Sequence, residues 1–309
     1  MKDLSNENIV HIKKEGVQYL QFRKLLEYKD TITHVYSIGT DVNFRTARAN
    51  KEKLPEQDFC KAMQDYKKLC SAINVDYKNV VKTNQEHTDN IAIATKKINQ
   101  NFPDINLDEY SRTDGIITQK ENLVLSTTNA DCILILFFDP VTKTIANIHS
   151  GWKGTLQRIS IKTVQKMVKE FECKPEDIIC CICPSIRKCH FEVDKDVKDL
   201  FEEEFKDLNI CQNTDIMEKH MIHGITFFLE EMWDNFDSFF TKKLKSLTGY
   251  QRIRIIRTNE HPPDPGLHNG LHTRRLLPVM AAWLQRYIQI RPLCRFCAGH
   301  QGISFCMIF

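Results

Sequence analysis

The sequence predicts an α/β protein. Three observations carry this: an unbroken apolar run of strand length, "CILILFF" (residues 132–138), a second run, "TIANIHS", that can return beside it, and two amphipathic segments at helical spacing. The first of these segments is residues 57–74, where Cys60, Met63, Tyr66, Leu69, Cys70 and Ile73 fall near one face. The second is residues 155–171, with Leu156, Ile159, Val164, Met167, Val168 and Phe171 on one stripe. Residues 18–46 read as short strands and turns, and strand-like runs flank His87. "DIICCICPSIRKCHFEV" reads as a buried strand, a Pro turn and a second short strand. "DVKDLFEEEFKDL" reads as a surface helix.

A chain of 309 residues with 42% hydrophobic side chains can bury one large core or two small ones. Its formal charge of +3 gives no reason to expect a nucleic-acid or membrane partner. No apolar run approaches the roughly 18 residues that span a bilayer, and the N-terminus lacks an apolar signal region. A cytoplasmic protein is expected, with its twelve cysteines held as thiols. The composition changes near residue 241: no lysine follows Lys245, and five of the ten prolines lie beyond it.

The hairpin brings two reactive side chains together. "DPVT" has Asp first and Pro second, as a turn favours. A two-residue loop, Pro140–Val141, would pair Asp139 with Thr142 and set Cys132 directly opposite His149 on one face. A loop longer by two residues would make them diagonal neighbours on the same face; a slip by one would separate them. A thiolate and an imidazole so placed suit a shared metal or a Cys–His nucleophilic pair. They also suit a small buried thiol beside a strand-end histidine. In "HSGWKG", Gly151 and Gly154 let the backbone approach a ligand, and Ser150 or Thr155 can cap the next helix, whose start would attract an anion. The same residues suit an ordinary strand-to-helix turn.

"NADCILILFFDP…IANIHSGWKGT" resembles the "ADC…DP…HAGWKG" core of the YfiH/laccase-domain family, and other segments follow in order. "KTNQEHTDNI" is similar to the family's Gln-x-His segment. "TDGIIT", "CPSIRKCHFEV" and "HVYSIGTDVNFRT" are similar to its "DALVT", "GPSIGPCCYEV" and "FSTRxGG…NL". The resemblance implies a single-domain, mixed-sheet α/β sandwich with helices packed on the sheets. It implies a catalytic domain over 15–216 and a diverged segment over 217–309. It implies a zinc ion, rather than copper, on His87, Cys132 and His149, with the fourth position open.

The activity implied is purine nucleoside phosphorolysis of adenosine, inosine and methylthioadenosine, with adenosine deamination. The partners implied are the nucleoside and phosphate, bound by a monomer or weak homodimer. The alternatives are a member impaired in catalysis but intact in its metal site, and a polyphenol oxidase, the family's older label. Asp131 joins the three ligands as a catalytic candidate. Arg45, Asp114, Ser150, Gly151, Trp152 and Gly154 are candidates for substrate or phosphate, Asp114 also for orienting a ligand.

The chain departs from the family pattern at Thr88 and Cys183, where glycine is usual. The family's closing "CT-x-C…FxSxRR…TGR" segment has only an echo in "LHTRRLLPVMAAWL". Elsewhere, "CRFCAGHQGISFC" sets Cys294, Cys297, His300 and Cys306 at spacings a zinc ion tolerates, but a single CxxC without a second pair specifies little. "FFLEEMWDNFDSFF" reads as core or a contact surface.

Overall fold

The computed structural model describes residues 3–38, 44, 56–95, 110–185, 193–205, 254–257 and 304–308. Two six-stranded mixed sheets stack face to face, with helices on both outer faces. The first contains β1 (Ile9–Lys14), β2 (Val17–Phe22), β3 (His34–Ile38), β4 (Val80–Lys82), β7 (Val124–Asn129) and β12 (Ser304–Ile308), in the order β1-β2-β3-β12-β7-β4. The second contains β5 (Ile91–Ile93), β6 (Gly115–Thr118), β8 (Ile133–Asp139), β9 (Thr144–Ser150), β10 (Ile179–Ile182) and β11 (Arg254–Arg257), in the order β11-β10-β8-β9-β6-β5. The helices are α1 (Arg23–Leu26), α2 (Glu56–Ala72), α3 (Trp152–Leu156), α4 (Ile159–Phe171) and α5 (Lys195–Glu204). No helix among the described residues is long and apolar enough to cross a membrane.

The alternation along β8 shows why its run is continuously apolar. Ile133, Ile135 and Phe137 pack with α4 and α5, while Leu134, Leu136 and Phe138 face the first sheet. A strand covered on both faces favours apolar residues at every position, as β8 has from Ile133 to Phe138. On the far side, Val17, Tyr19, Val35, Val80 and Val124 pack under Tyr66, Leu69 and Cys70 of α2. The layers are therefore helix, sheet, sheet, helix. Cys60, placed on the apolar stripe of α2 by its spacing, is instead exposed.

Local signals set the turns. Glu15 and Gly16, with φ of 52° and 76°, join β1 to β2 in a two-residue loop, where two positive φ angles match the strand twist. Beyond Asp139 the loop has four residues, because Asp139 pairs with Thr144. The Asp139 carboxylate accepts the amide N–H of Val141 at 2.8 Å and of Thr142 at 3.2 Å, closing a side-chain turn that the two-residue reading leaves out. The helix expected over 155–171 is two helices. Arg158, in the left-handed region at φ 60°, separates α3 from α4, and its guanidinium binds Glu204 and stacks on Phe205.

Cys180, Cys181 and Cys183 are buried thiols, as their apolar setting suggests, while Cys189 and His190 lie outside the described residues. So do "FFLEEMWDNFDSFF", Cys294, Cys297 and His300. Beyond residue 216 the chain supplies β11 at one edge of the second sheet and β12 inside the first, between β3 and β7.

A buried histidine in the first sheet predicts acid sensitivity. The His34 ring is 1% exposed and its Nε2 accepts the Phe22 amide N–H at 2.6 Å. Burial pushes its pKa down to about 3, below the ordinary value of about 6.5. The unfolded chain therefore binds the extra proton between these values. The stabilisation is complete above about pH 6.5 and is lost as pH falls toward 3. Denaturant unfolding should show the native chain losing about 2 kcal/mol more than His34→Gln between pH 7.5 and 5. Equal losses would exclude this contribution.

Candidate metal centre

Three segments meet at one end of the sandwich. Cys132 comes just before β8, His149 lies in β9, and His87 sits in the loop between β4 and β5. His149 pairs with Leu134, so Cys132 is its diagonal neighbour on the same face rather than the direct partner that a two-residue loop would give. The ligand atoms of His87, Cys132 and His149 lie within 4.8 Å of one another. Cys132 Sγ is 3.6 Å from His87 Nε2, and the two imidazoles meet edge to face at 5.0 Å between ring centres. His149 is buried, Cys132 partly so, and His87 is exposed, so the cluster opens toward solvent on one side.

Asp114, immediately before β6, organises two of the three. It is fully buried. Its Oδ1 accepts the His149 Nδ1–H at 2.7 Å and the His87 amide N–H at 3.1 Å. Its Oδ2 accepts the amide N–H of Thr88 at 2.7 Å and of Glu86 at 3.2 Å. A carboxylate can only accept, so His149 carries a proton on Nδ1, and Nε2 is the nitrogen left to face a metal. His87 is held at φ 59°, a left-handed conformation that non-glycine residues seldom adopt.

Charge follows the same network. Burial alone would raise the Asp114 pKa, but the His149 and Thr88 hydrogen bonds outweigh it and hold the group below the ordinary carboxylate value. Burial likewise works to lower His149, and the Asp114 and Cys132 partners overcome it, raising the imidazole to about 9. At Cys132 burial would raise the thiol, yet the hydrogen bonds and charges of the two histidines bring it down to about 6. The histidines thus favour the thiolate form of Cys132, and a metal ion bound through sulfur and nitrogen would take the place of the proton on His149 Nε2.

The donor set fits a metal ion. With ligand bonds of 2.0–2.3 Å, a tetrahedral site places neighbouring N and S donors about 3.5 Å apart. The spacing between Cys132 and His87 matches this edge. Three protein donors leave one position for another ligand.

The remaining sequence candidates are placed as follows. Asp131 is partly exposed, next to Cys132. Ser150 is buried, and its hydroxyl bonds that of Thr155 at 2.8 Å instead of capping α3, which starts from Gly151 without a side-chain cap. Gly151 lies against both histidines: a Cβ there would stand 2.3 Å from His87 Cδ2 and 3.3 Å from His149 Cε1. A Cβ on Gly154 would approach the Thr88 carbonyl at 3.0 Å. Trp152 is half-buried and packs against the core beneath α4. Arg45 lies outside the described residues.

Sequence reasoning missed three supporting residues. Gln85 clamps the His87 loop to β7 through the Thr128 backbone, accepting its N–H at 2.8 Å and donating to its carbonyl at 2.6 Å. The Asn129 amide donates to the Cys132 carbonyl, and Thr88 binds Asp114. The available signal was adjacency, since each lies within three residues of His87 or Cys132 in "QEHT" or "NADC".

The mouse purine nucleoside phosphorylase LACC1 is 31% identical over 133 residues, covering 43% of this chain and 28% of that protein. The adenosine deaminase RL5, from an unknown prokaryotic organism, is 28% identical over 145 residues, covering 46% and 53%. In both, the matched stretch is little more than half of the relative's length or less. The crystal structure of YlmD from Geobacillus stearothermophilus superposes with a TM-score of 0.56 at 16% identity, covering 99% of this chain and 98% of that one, a likeness of fold. A family model described as multi-copper polyphenol oxidoreductase laccase matches residues 55–229. That interval holds all three clustered residues and more than half of the sequence, so the chain belongs to this laccase-like family.

Proposed function

We propose that the protein is a zinc-dependent purine nucleoside phosphorylase that also deaminates adenosine. The observation that carries this is the cluster of one thiol and two imidazoles, held by Asp114 at the open end of the sandwich. The names of its relatives, a purine nucleoside phosphorylase and an adenosine deaminase, support the reaction class. His87, Cys132 and His149 would hold the metal. Zinc suits this set of donors, and when bound it supplies Lewis acidity without redox chemistry. A multicopper oxidase requires several His-x-His pairs, and the sequence has none. That argues against polyphenol oxidation.

In phosphorolysis a phosphate oxygen attacks the anomeric carbon, the glycosidic C–N bond breaks, and the base leaves with a proton. In deamination water attacks the purine carbon that bears the amino group, and ammonia leaves. Both require a polar pocket that orients the nucleoside and moves one proton. Asp131, partly exposed beside Cys132, is our candidate for handling that proton. Arg45, Ser150, Gly151, Trp152 and Gly154 are our candidates for the nucleoside and phosphate, with adenosine, inosine and methylthioadenosine as substrates. Asp114 acts through His149 rather than on substrate. A cytoplasmic monomer or weak homodimer, with a catalytic domain over 15–216, belongs to the same proposal.

Incubation of the zinc-loaded chain with adenosine tests it. Adenine release that requires phosphate, together with phosphate-independent inosine formation, is expected. A chain that binds zinc but turns over neither adenosine nor inosine would instead be an impaired member of the family. Oxidation of a catechol without nucleoside turnover would reinstate the oxidase reading.

A further inference from the structure

We propose that Thr88 is a positioning residue of the metal centre: its hydroxyl fixes the Asp114 carboxylate in the orientation that turns His149 Nε2 toward the metal position. This rests on the reading of His87, Cys132 and His149 as metal ligands. Thr88 reaches Asp114 twice. Its amide N–H donates to Oδ2 at 2.7 Å, and its hydroxyl lies 2.7 Å from the same oxygen. The hydroxyl has one hydrogen and two acceptors within reach, Asp114 Oδ2 and the Arg112 carbonyl at 2.9 Å. The ionised carboxylate is the stronger acceptor and takes the proton. The hydroxyl oxygen in turn accepts the Asn90 amide N–H at 3.3 Å.

Among the described residues this hydroxyl is the one side-chain donor to Oδ2; the other donors there are backbone amides. Oδ1 is committed to His149 and His87. The Thr88 hydroxyl therefore anchors the side of the carboxylate opposite His149. Without it a fully buried carboxylate loses a charge-assisted bond, and Oδ2 is left to the Thr88 and Glu86 backbone amides, so the plane that aligns His149 is held less firmly. Thr88 itself is half-buried in a loop, away from the hydrophobic clusters, so removing its hydroxyl acts on the site before it acts on the fold.

The test is the zinc dissociation constant of the full metal-free chain, measured by competition with a chromophoric chelator, alongside the unfolding temperature without metal. Thr88→Val keeps the shape and removes the donor. It should weaken zinc binding about tenfold, as loss of an outer partner typically does, with Thr88→Ala behaving alike. Thr88→Ser keeps the donor and should match the native chain both in zinc binding and in metal-free unfolding temperature. Native affinity in Thr88→Val or Thr88→Ala, or a Thr88→Ser as weak as they are, overturns the role. Weak binding matched by a lowered metal-free unfolding temperature in all three overturns it too, in favour of a structural role. A native chain that takes up no zinc, or binds it no better than Cys132→Ala does, overturns the metal reading instead.

Discussion

Cys132→Ala is expected to release the metal while leaving the fold in place. Removing one of the three proposed ligands deprives the cluster of its thiolate donor, and two imidazoles remain. Loss of an outer partner typically costs 10–100-fold in metal affinity, so loss of a ligand should cost at least about 10³-fold. Nucleoside turnover should fall to background with it. The fold has little stake in this side chain. Cys132 precedes β8, is partly exposed, and belongs to none of the three hydrophobic clusters. Its turn is held through backbone by the Asn129 amide, which alanine retains. The contrasting variant is Cys181→Ala, in the core between the sheets, which should lower the unfolding temperature and keep the metal. Elemental analysis after dialysis, read beside thermal unfolding, separates the two. Full zinc in Cys132→Ala would remove it from the ligand set.

The hairpin shows how much of this site was readable beforehand. "DPVT" announces a turn, and the runs around it announce strands, yet the pairing is displaced by two residues because Asp139 folds its side chain over the loop. An even displacement preserves the face, and face is what chemistry requires. Cys132 and His149 thus meet for the reason the pattern suggested, in a different register. His87 could not be reached in that way. It lies 45 residues before Cys132, its loop is held by a carboxylate from a third segment, and its left-handed backbone has no signature in composition. The family resemblance supplied it.

Asp114 was readable as a candidate near the site but not as its organiser. That role depends on β6 lying beside β9, a long-range pairing that places the Asp114 carbonyl against the His149 amide. The break between α3 and α4 was hidden for another reason. The apolar stripe continues across it, and arginine in a left-handed conformation carries none of the warning that glycine or proline gives. Layering was more legible. The unbroken run of β8 could only belong to a strand covered twice, and the two amphipathic segments could supply only outer helices.

Gly151→Ala is expected to displace a ligand by crowding alone. The backbone at Gly151, with φ −67° and ψ 173°, suits alanine, so the substitution introduces no conformational strain. The added methyl would nevertheless stand 2.3 Å from His87 Cδ2 and 3.1 Å from Nε2, well inside the about 3.5–4.0 Å of carbon contact. Either α3 shifts or the imidazole moves. The start of α3 is packed, since Thr155 bonds Ser150 and Gly154 abuts the Thr88 carbonyl, whereas His87 is exposed and its ring can swing into solvent. The ring should yield, so stability should change by less than about 1 kcal/mol while zinc affinity falls on the order of 10²-fold. Because the methyl acts through His87, the double variant Gly151→Ala with His87→Ala should bind zinc no worse than His87→Ala alone, a non-additivity that marks a shared cause. Additive losses would place the effect of Gly151 elsewhere, in the substrate pocket or the start of α3, and native zinc affinity in Gly151→Ala would show that His87 is not held where the ligand set requires it.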